Sequence, residues 1–410
     1  MCIYLVGSDI YDIKQAISGK KESAENQTNN YPLVSVLVPA YNEELTLLRA
    51  LSSVYDSDYQ NIELIIINDS STDKTYSIAR DFQRRFKDRF KKVILLNVHV
   101  RGKAQALNKG LKYTKGNIYM CLDADSALTP QTISRAVGRF VSNPKLACIS
   151  SNIKIFPSNS LLGFFQQLEY LVGYQMKKTE EVANIQYIVG GIGSMYRTRI
   201  VKSVGYYDTD TITEDIDLSM KILNKYGGRC KLGYDPKVVV YTEPVYDFKG
   251  LLRQRFRWKY GRYQTFLKNR ALFLSRCKRA NKALSWIYLP YAILSELLYS
   301  IEPLIFILLG YLLISYGDAT LILTSFLTFM FYTSMHVTAA TTNGYTWKER
   351  LRFLVAAPII YLGMYVLSVV EYISTIRGFK NLYTIYKNNG SSQAACNWEP
   401  VRRRGNATIQ

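Results

Sequence analysis

Apolar residues in the first third of the chain gather in four short runs, Leu33–Ala40, Glu63–Asn68, Val93–Val98 and Ile118–Leu122. The runs recur about 25–30 residues apart. The stretches between them, Glu43–Tyr55, Thr72–Phe86 and Lys103–Tyr113, read as helices. Strand and helix alternating at this interval predict an α/β domain: a mostly parallel sheet with helices on both faces. Ligands of such sheets bind beyond the carboxyl ends of the strands, so the residues just after each run are the first candidates for chemistry.

The last third is patterned differently. Ala283–Ser315 is a long apolar stretch broken by Pro290 and Pro303, and Ala319–Thr341 and Leu351–Thr375 follow it. Each is long enough to cross a hydrocarbon core of about 30 Å. The chain therefore divides into a polar leader (1–30), an α/β domain (31–248), a basic segment (249–283), transmembrane or interfacial helices (284–376) and a basic tail (377–410). The apolar patch in Met1–Ile13 is too short to span a membrane or to act as a secretory signal. Three spans would put the tail outside, whereas Arg377, Lys380, Lys387 and Arg402–Arg404 favour the inside, so one segment is expected to be re-entrant or interfacial. Glu296 and Glu302, within the first apolar stretch, are candidates for ion pairing or for a polar pathway.

Charge sharpens this division. The net charge is +20, from 52 basic and 32 acidic residues. Between Asp247 and Glu296 no acidic residue occurs, while Lys249, Arg253, Arg255, Arg257, Lys259, Arg262, Lys268, Arg270, Arg276, Lys278, Arg279 and Lys282 do. A basic block running into apolar segments marks a cytoplasmic membrane flank able to rest on anionic headgroups. No nucleic-acid-binding fold accompanies the charge, so nucleic acid is not an expected partner. The six cysteines show no Cys-x-x-Cys spacing, which suits a reducing compartment rather than a zinc or disulfide scaffold.

Candidate chemistry sits where the sheet pattern directs attention. Ala40, Tyr41 and Glu43 follow the first run and Asp69 the second. Asp69 either binds a base or ribose, or caps the following helix together with Ser71. Strand alternation would aim Asp123 and Asp125 to one side at the tip of the fourth run, as hard oxygen ligands for Mg²⁺ or Mn²⁺ on a diphosphate. Gly190–Arg197 forms a turn or lets backbone approach a ligand closely. Asp215 opens an amphipathic stretch, either as a helix N-terminal carboxylate or as a general base. Arg257 can pair with phosphate, and Trp258 offers a flat face to a sugar ring. Glycosyl transfer from a nucleoside diphosphate sugar needs these parts: a metal on the leaving group, a base for the acceptor hydroxyl and cations for the phosphates.

The segments VPAYNEE, NDSSTD, GKAQALNKG, DADS, GGIGSMYR, TEDIDLSMKI and QRFRW occur in this order. Together they resemble the family 2 glycosyltransferases, the inverting, processive synthases of cellulose, chitin, hyaluronan and poly-N-acetylglucosamine. The resemblance covers residues 31–405 and, within the family, is nearest to the poly-β-1,6-N-acetylglucosamine synthases. It implies a GT-A-type nucleotide-sugar-binding domain with a mixed or parallel sheet, followed by an all-α transmembrane module. It also implies that Ala40, Tyr41, Glu43, Asp69 and Lys103 line the donor pocket and that Asp123 and Asp125 bind diphosphate and metal. Asp215 would be the catalytic base, and Gln254, Arg257, Trp258 and Glu214 the phosphate clamp and acceptor element. The expected enzyme lies in the cell membrane as a multi-pass protein with its catalytic domain cytoplasmic. It would join UDP-N-acetylglucosamine to a growing polysaccharide.

Three departures qualify the match. Ser70 stands where the family commonly has glycine, and no terminal cyclic-dinucleotide domain is visible. No hydrophobic span precedes the catalytic domain, so either the start is an alternative initiation point, or a small membrane partner subunit completes the channel, or the enzyme works with fewer spans. Two other readings are a non-processive enzyme moving one sugar to a lipid acceptor and a catalytically silent membrane scaffold; the intact carboxylate set argues against the second.

Overall fold

The computed structural model describes residues 6–14, 31–100, 102–158, 160–317, 319–341, 345–380, 382–387 and 405. After helix α1 (described over 6–14) come β1 (Val34–Ala40), α2 (Leu47–Tyr55), β2 (Ile62–Asp69), α3 (Thr75–Phe86), β3 (Lys92–Val98), α4 (Lys103–Tyr113) and β4 (Ile118–Cys121). β1 pairs in parallel with both β2 and β4, and β2 with β3. β1 and β2 are buried at every position, which is why they read as continuous apolar runs rather than alternating ones. Glu63, an acid buried within β2, is satisfied by the Ser35 hydroxyl and by the backbone N–H groups of Lys115 (2.6 Å) and Gly116 (3.2 Å).

The second half departs from the repeat. It comprises β5 (Ser126–Leu128), α5 (Thr132–Ser142), β6 (Leu146–Ile155), α6 (Leu161–Ala183), β7 (Ser194–Arg197), α7 (Thr198–Ser203), α8 (Glu214–Tyr226) and β8 (Lys231–Thr242). The eight strands form one sheet in the order β3-β2-β1-β4-β7-β6-β8-β5. β7 runs antiparallel to β4 and β6, and β5 antiparallel to β8, so the sheet is mixed. Parallel pairing joins β1–β4, where short helical crossovers enforce it, and returns between β6 and β8. Helices cover both faces: Leu47, Phe82 and Ile133 (α2, α3, α5) pack on one, Leu107, Val201 and Leu218 (α4, α7, α8) on the other.

A helical layer follows: α9 (Phe248–Lys268), α10 (Leu289–Tyr316), α11 (Ala319–Ala340), α12 (Trp347–Lys380) and α13 (Leu382–Lys387). α12 packs against α9, α11 and α6. α1 docks on α6 through the Asp12–Lys178 ion pair (2.9 Å). Among the described residues, no single helix is long and apolar enough to cross a membrane. Ala283–Leu298 and Pro303–Tyr316, bent by 45° at the break, meet that test together. The bend falls at Pro303, whose ring cannot continue the helical hydrogen-bond ladder. α10 presents an exposed apolar strip that includes Ile307 and Ile314. The Glu302 side chain and most of the tail lie outside the described residues.

Candidate active site

The loops after β1 and β2 are stitched to each other. Asn42, in the left-handed region (φ 54°), accepts the Thr72 N–H on Oδ1 at 2.8 Å and donates its own N–H to Ser71 Oγ at 3.1 Å. The Glu43 N–H donates to Thr75 Oγ1 (2.8 Å), and the Glu43 carboxylate accepts the Thr46 hydroxyl (2.6 Å). Ala40 ends β1 opposite Asn68, so Ala40, Tyr41 and Glu43 share the rim with the end of β2. Ser70 also has a positive φ (59°), the backbone state that glycine adopts most cheaply.

Asp69 does not cap α3; Asp73 accepts the Thr75 N–H there. Instead the buried Asp69 carboxylate takes the Val100 N–H on Oδ1 and the Gly102 N–H on Oδ2, both at 2.9 Å. It thereby pins the β3–α4 loop and sets the position of Lys103, the first residue of α4.

Lys103 reaches the centre of the cleft. Its Nζ lies 2.6 Å from Asp123 Oδ1 and 3.6 Å from Glu214 Oε1. Burial alone would lower the Lys103 pKa, but the Asp123 and Glu214 carboxylates outweigh it and hold the group well above its ordinary value. Burial raises the Glu214 pKa, Lys103 opposes the rise, and the neighbouring Asp215 adds to it. Asp215 sits in the first turn of α8; its Oδ2 accepts the Gly191 N–H (2.7 Å) and its Oδ1 the Ile216 N–H (2.9 Å). An ionised carboxylate offers about four lone-pair sites, so capacity remains for a substrate hydroxyl. A Cβ on Gly191 would lie 3.3 Å from both Asp215 Oδ2 and Lys103 Nζ. Gly191 thus brings its backbone close to two charged groups of the protein itself.

Asp123 and Asp125 lie beyond the end of β4, in the turn leading to β5, so strand alternation does not orient them. Asp123 stays partly exposed beside Lys103, and its hard oxygen donors fit Mg²⁺ or Mn²⁺. Asp125 is buried, with Oδ1 accepting the Ser126 hydroxyl (2.9 Å) and more distantly that of Thr242 (3.4 Å). It braces the turn from behind. A separate acidic group, Asp208, Asp210 and Asp217, has carboxylates close enough to share an ion. Lys268 Nζ already occupies its centre, at 2.6, 2.6 and 3.0 Å from the three residues.

The Gln254-to-Trp258 signature lies on α9. Gln254, Arg257 and Trp258 fall at i, i+3 and i+4, on one side of the helix, with Arg257 exposed and the other two half-buried. Further along, Gly261 abuts the Thr213 side chain and Gln264 Oε1 accepts the Ile212 N–H (3.2 Å), so α9 packs on the residues that lead into Glu214 and Asp215. The cations of α9 that face inward are paired: Arg255 with Glu169 (2.6 Å), Lys259 with Glu296 (2.6 Å) and Glu371 (3.1 Å), and Arg262 with Glu296. Sequence reasoning missed Glu169 and Glu371, which carry no local signal, and treated Arg255 only as part of a basic block.

Comparison with known proteins accounts for this arrangement. Residues 35–205 match the family described as Glycosyl transferase family 2. A curated relative from Staphylococcus epidermidis, a poly-beta-1,6-N-acetyl-D-glucosamine synthase, is 31% identical over 327 residues, 76% of this chain and 76% of the relative. The chain belongs to glycosyl transferase family 2. A second synthase of that name from the same species is 33% identical over 274 residues, and the match spans 66% of this chain and 64% of that relative. One from Staphylococcus aureus is 31% identical over 276 residues, again 66% and 64%. Among solved structures, the mannosyltransferase PcManGT from Pyrobaculum calidifontis, in complex with GDP-Man and Mn²⁺, superposes with a TM-score of 0.57 at 19% identity. The superposition covers 93% of this chain and 98% of that one, which supports a GT-A-like fold for this family 2 member.

Proposed function

We propose that the chain is a membrane-bound, processive, inverting glycosyltransferase that polymerises UDP-N-acetylglucosamine into a β-linked polysaccharide. The observation that carries this reading is the convergence of Lys103, Asp123, Glu214 and Asp215, from three separate elements, around the Gly191 backbone. The names of the staphylococcal relatives supply the sugar.

In this reading Asp215 takes the proton of the acceptor hydroxyl. The freed oxygen bonds to the anomeric carbon from the face opposite the diphosphate, and the bond from that carbon to the phosphate oxygen breaks. UDP departs and the new linkage is β. Asp215 is held on two sides by N–H donors, so its orientation is set before substrate arrives. Lys103 and Arg257 counter the phosphate charge, with Gln254 beside them, and Trp258 stacks the acceptor sugar. Ala40, Tyr41, Glu43 and Asp69 form the uridine side. Asp123, with Asp125 behind it, would hold Mg²⁺ or Mn²⁺, which supplies charge neutralisation for the leaving diphosphate; PcManGT, similar in fold, was solved with Mn²⁺.

The bent pair Ala283–Leu298 and Pro303–Tyr316, the exposed apolar strip of α10 and the basic flank before them support a multi-pass membrane location with the catalytic domain cytoplasmic. A small membrane subunit would complete the path for the polymer. The test is purified protein in lipid nanodiscs with UDP-N-acetylglucosamine and Mg²⁺ or Mn²⁺, followed by UDP release and product length. Asp215→Asn should lower turnover by about 10²–10⁴-fold. Retained turnover sinks the assignment of the base, and a product of one added sugar overturns processivity.

A further inference from the structure

Arg255 lies inside the Gln254-to-Trp258 signature, yet it faces away from solvent. It is 3% exposed, its Nη2 lies 2.6 Å from Glu169 Oε2 on α6, and its Nε makes no hydrogen bond. The same guanidinium sits over the Trp258 indole, 4.3 Å from the ring centroid. A cation at that distance over an indole face is attractive, and more so where water is excluded. Arg255 and Trp258 are three positions apart on α9, so the helix itself brings the two side chains together. A flat guanidinium against one face of a flat ring restrains the ring's tilt, and the carboxylate on α6 restrains the guanidinium.

We infer that Glu169 and Arg255 are positioning residues that lock the Trp258 indole in one orientation, with its opposite face presented to the acceptor sugar. The inference rests on the reading of Trp258 as the acceptor platform. A freely tilting indole would lose stacking area and entropy with every sugar it receives. One held from behind meets each new chain end in the same pose. Lysine in place of Arg255 keeps the charge and the bond to Glu169 but lacks the planar face. That separates a platform role from a purely electrostatic one.

The test uses the full chain in nanodiscs, with Trp286→Phe, Trp347→Phe and Trp398→Phe so that Trp258 is the sole indole. Arg255→Lys and Glu169→Gln are compared for acrylamide quenching of Trp258, for the KM of a β-linked N-acetylglucosamine oligomer and for the KM of UDP-N-acetylglucosamine. Arg255→Lys should raise the acceptor KM about tenfold and quenching about twofold with the donor KM and Tm held, and Glu169→Gln should raise acceptor KM and quenching by less. Unchanged quenching in Arg255→Lys overturns the proposal. So does a joint rise of both KM values with a fallen Tm, which marks a general loss of structure. Trp258→Ala separates the two readings. If it leaves the acceptor KM unchanged, the platform assignment fails, and quenching alone decides whether Arg255 holds the ring.

Discussion

Two parts of the cleft are held in opposite ways. The rim beyond β1, β2 and β3 is a set of loops tied by hydrogen bonds: Asn42 to Ser71 and Thr72, Glu43 to Thr75, and Asp69 to Val100 and Gly102. The other part is a single helix, α9, held by charge. Arg255 reaches Glu169 on α6, Lys259 reaches Glu296 on α10 and Glu371 on α12, Arg262 reaches Glu296, and Lys268 reaches three aspartates before and within α8. Hydrogen bonds to backbone locate a loop to within a few tenths of an ångström and are satisfied by nearby residues. Buried ion pairs contribute little net stability, because desolvation offsets attraction, but each is costly to leave half-made. The rim should therefore fail locally and the helix globally.

The largest effect is expected from Lys259→Met, which leaves Glu371 without its ammonium partner and Glu296 with Arg262 alone. A loss of about 3–5 kcal/mol is expected, read as a Tm lowered by on the order of 10 °C. A small loss would mean that water already reaches the network. Asp69→Ala strips two N–H groups of their acceptor and should cost about 1–3 kcal/mol. Its mark is faster amide exchange confined to the Val98–Lys103 loop and weaker UDP binding, without global unfolding.

Gly191→Ala tests the centre, where the two regions meet. A methyl 3.3 Å from Asp215 Oδ2 and Lys103 Nζ should lower kcat about tenfold while Tm stays within a degree or two. A smaller effect is expected from pH. Burial pushes the Glu169 carboxyl up to about 7, with Arg255 opposing and Glu371 adding to the rise. The folded protein then holds that proton more tightly than the unfolded chain does. The stability due to Glu169 should fall as pH rises from the ordinary carboxylate range to about 7, while the bond to Arg255 strengthens. Tm and Trp258 quenching should thus both fall as pH rises over this window, and Glu169→Gln should flatten both. Least of all, Ser70→Gly should add about 1 kcal/mol by relieving a positive φ, measured by urea unfolding.

The rim was largely legible in advance because its residues follow strand ends, and strand ends announce themselves by local apolar runs. Asp215 was legible as the opening of an amphipathic helix. Asp125 was misread in detail: its place in a turn, and the hydroxyls of Ser126 and Thr242 that draw it inward, are matters of the loop and of β8. The basic block divides on folding: Arg255, Lys259, Arg262 and Lys268, which charge alone does not distinguish from their neighbours, are paired within the protein.

By itself the sequence determined the alternation of β1–β4 with their helices, the residues of the cleft and membership of the family, because each is written in spacing or in a short contiguous motif. The tertiary structure alone decided the mixed order of the remaining strands, the approach of Gly191 to Asp215 and Lys103, and the partners of α9. The reason is physical. Apolar periodicity is set between neighbours in the chain, whereas the acids that neutralise Arg255, Lys259 and Lys268 lie 86, 37 and 60 positions away. Only a folded chain brings such charges within reach of one another.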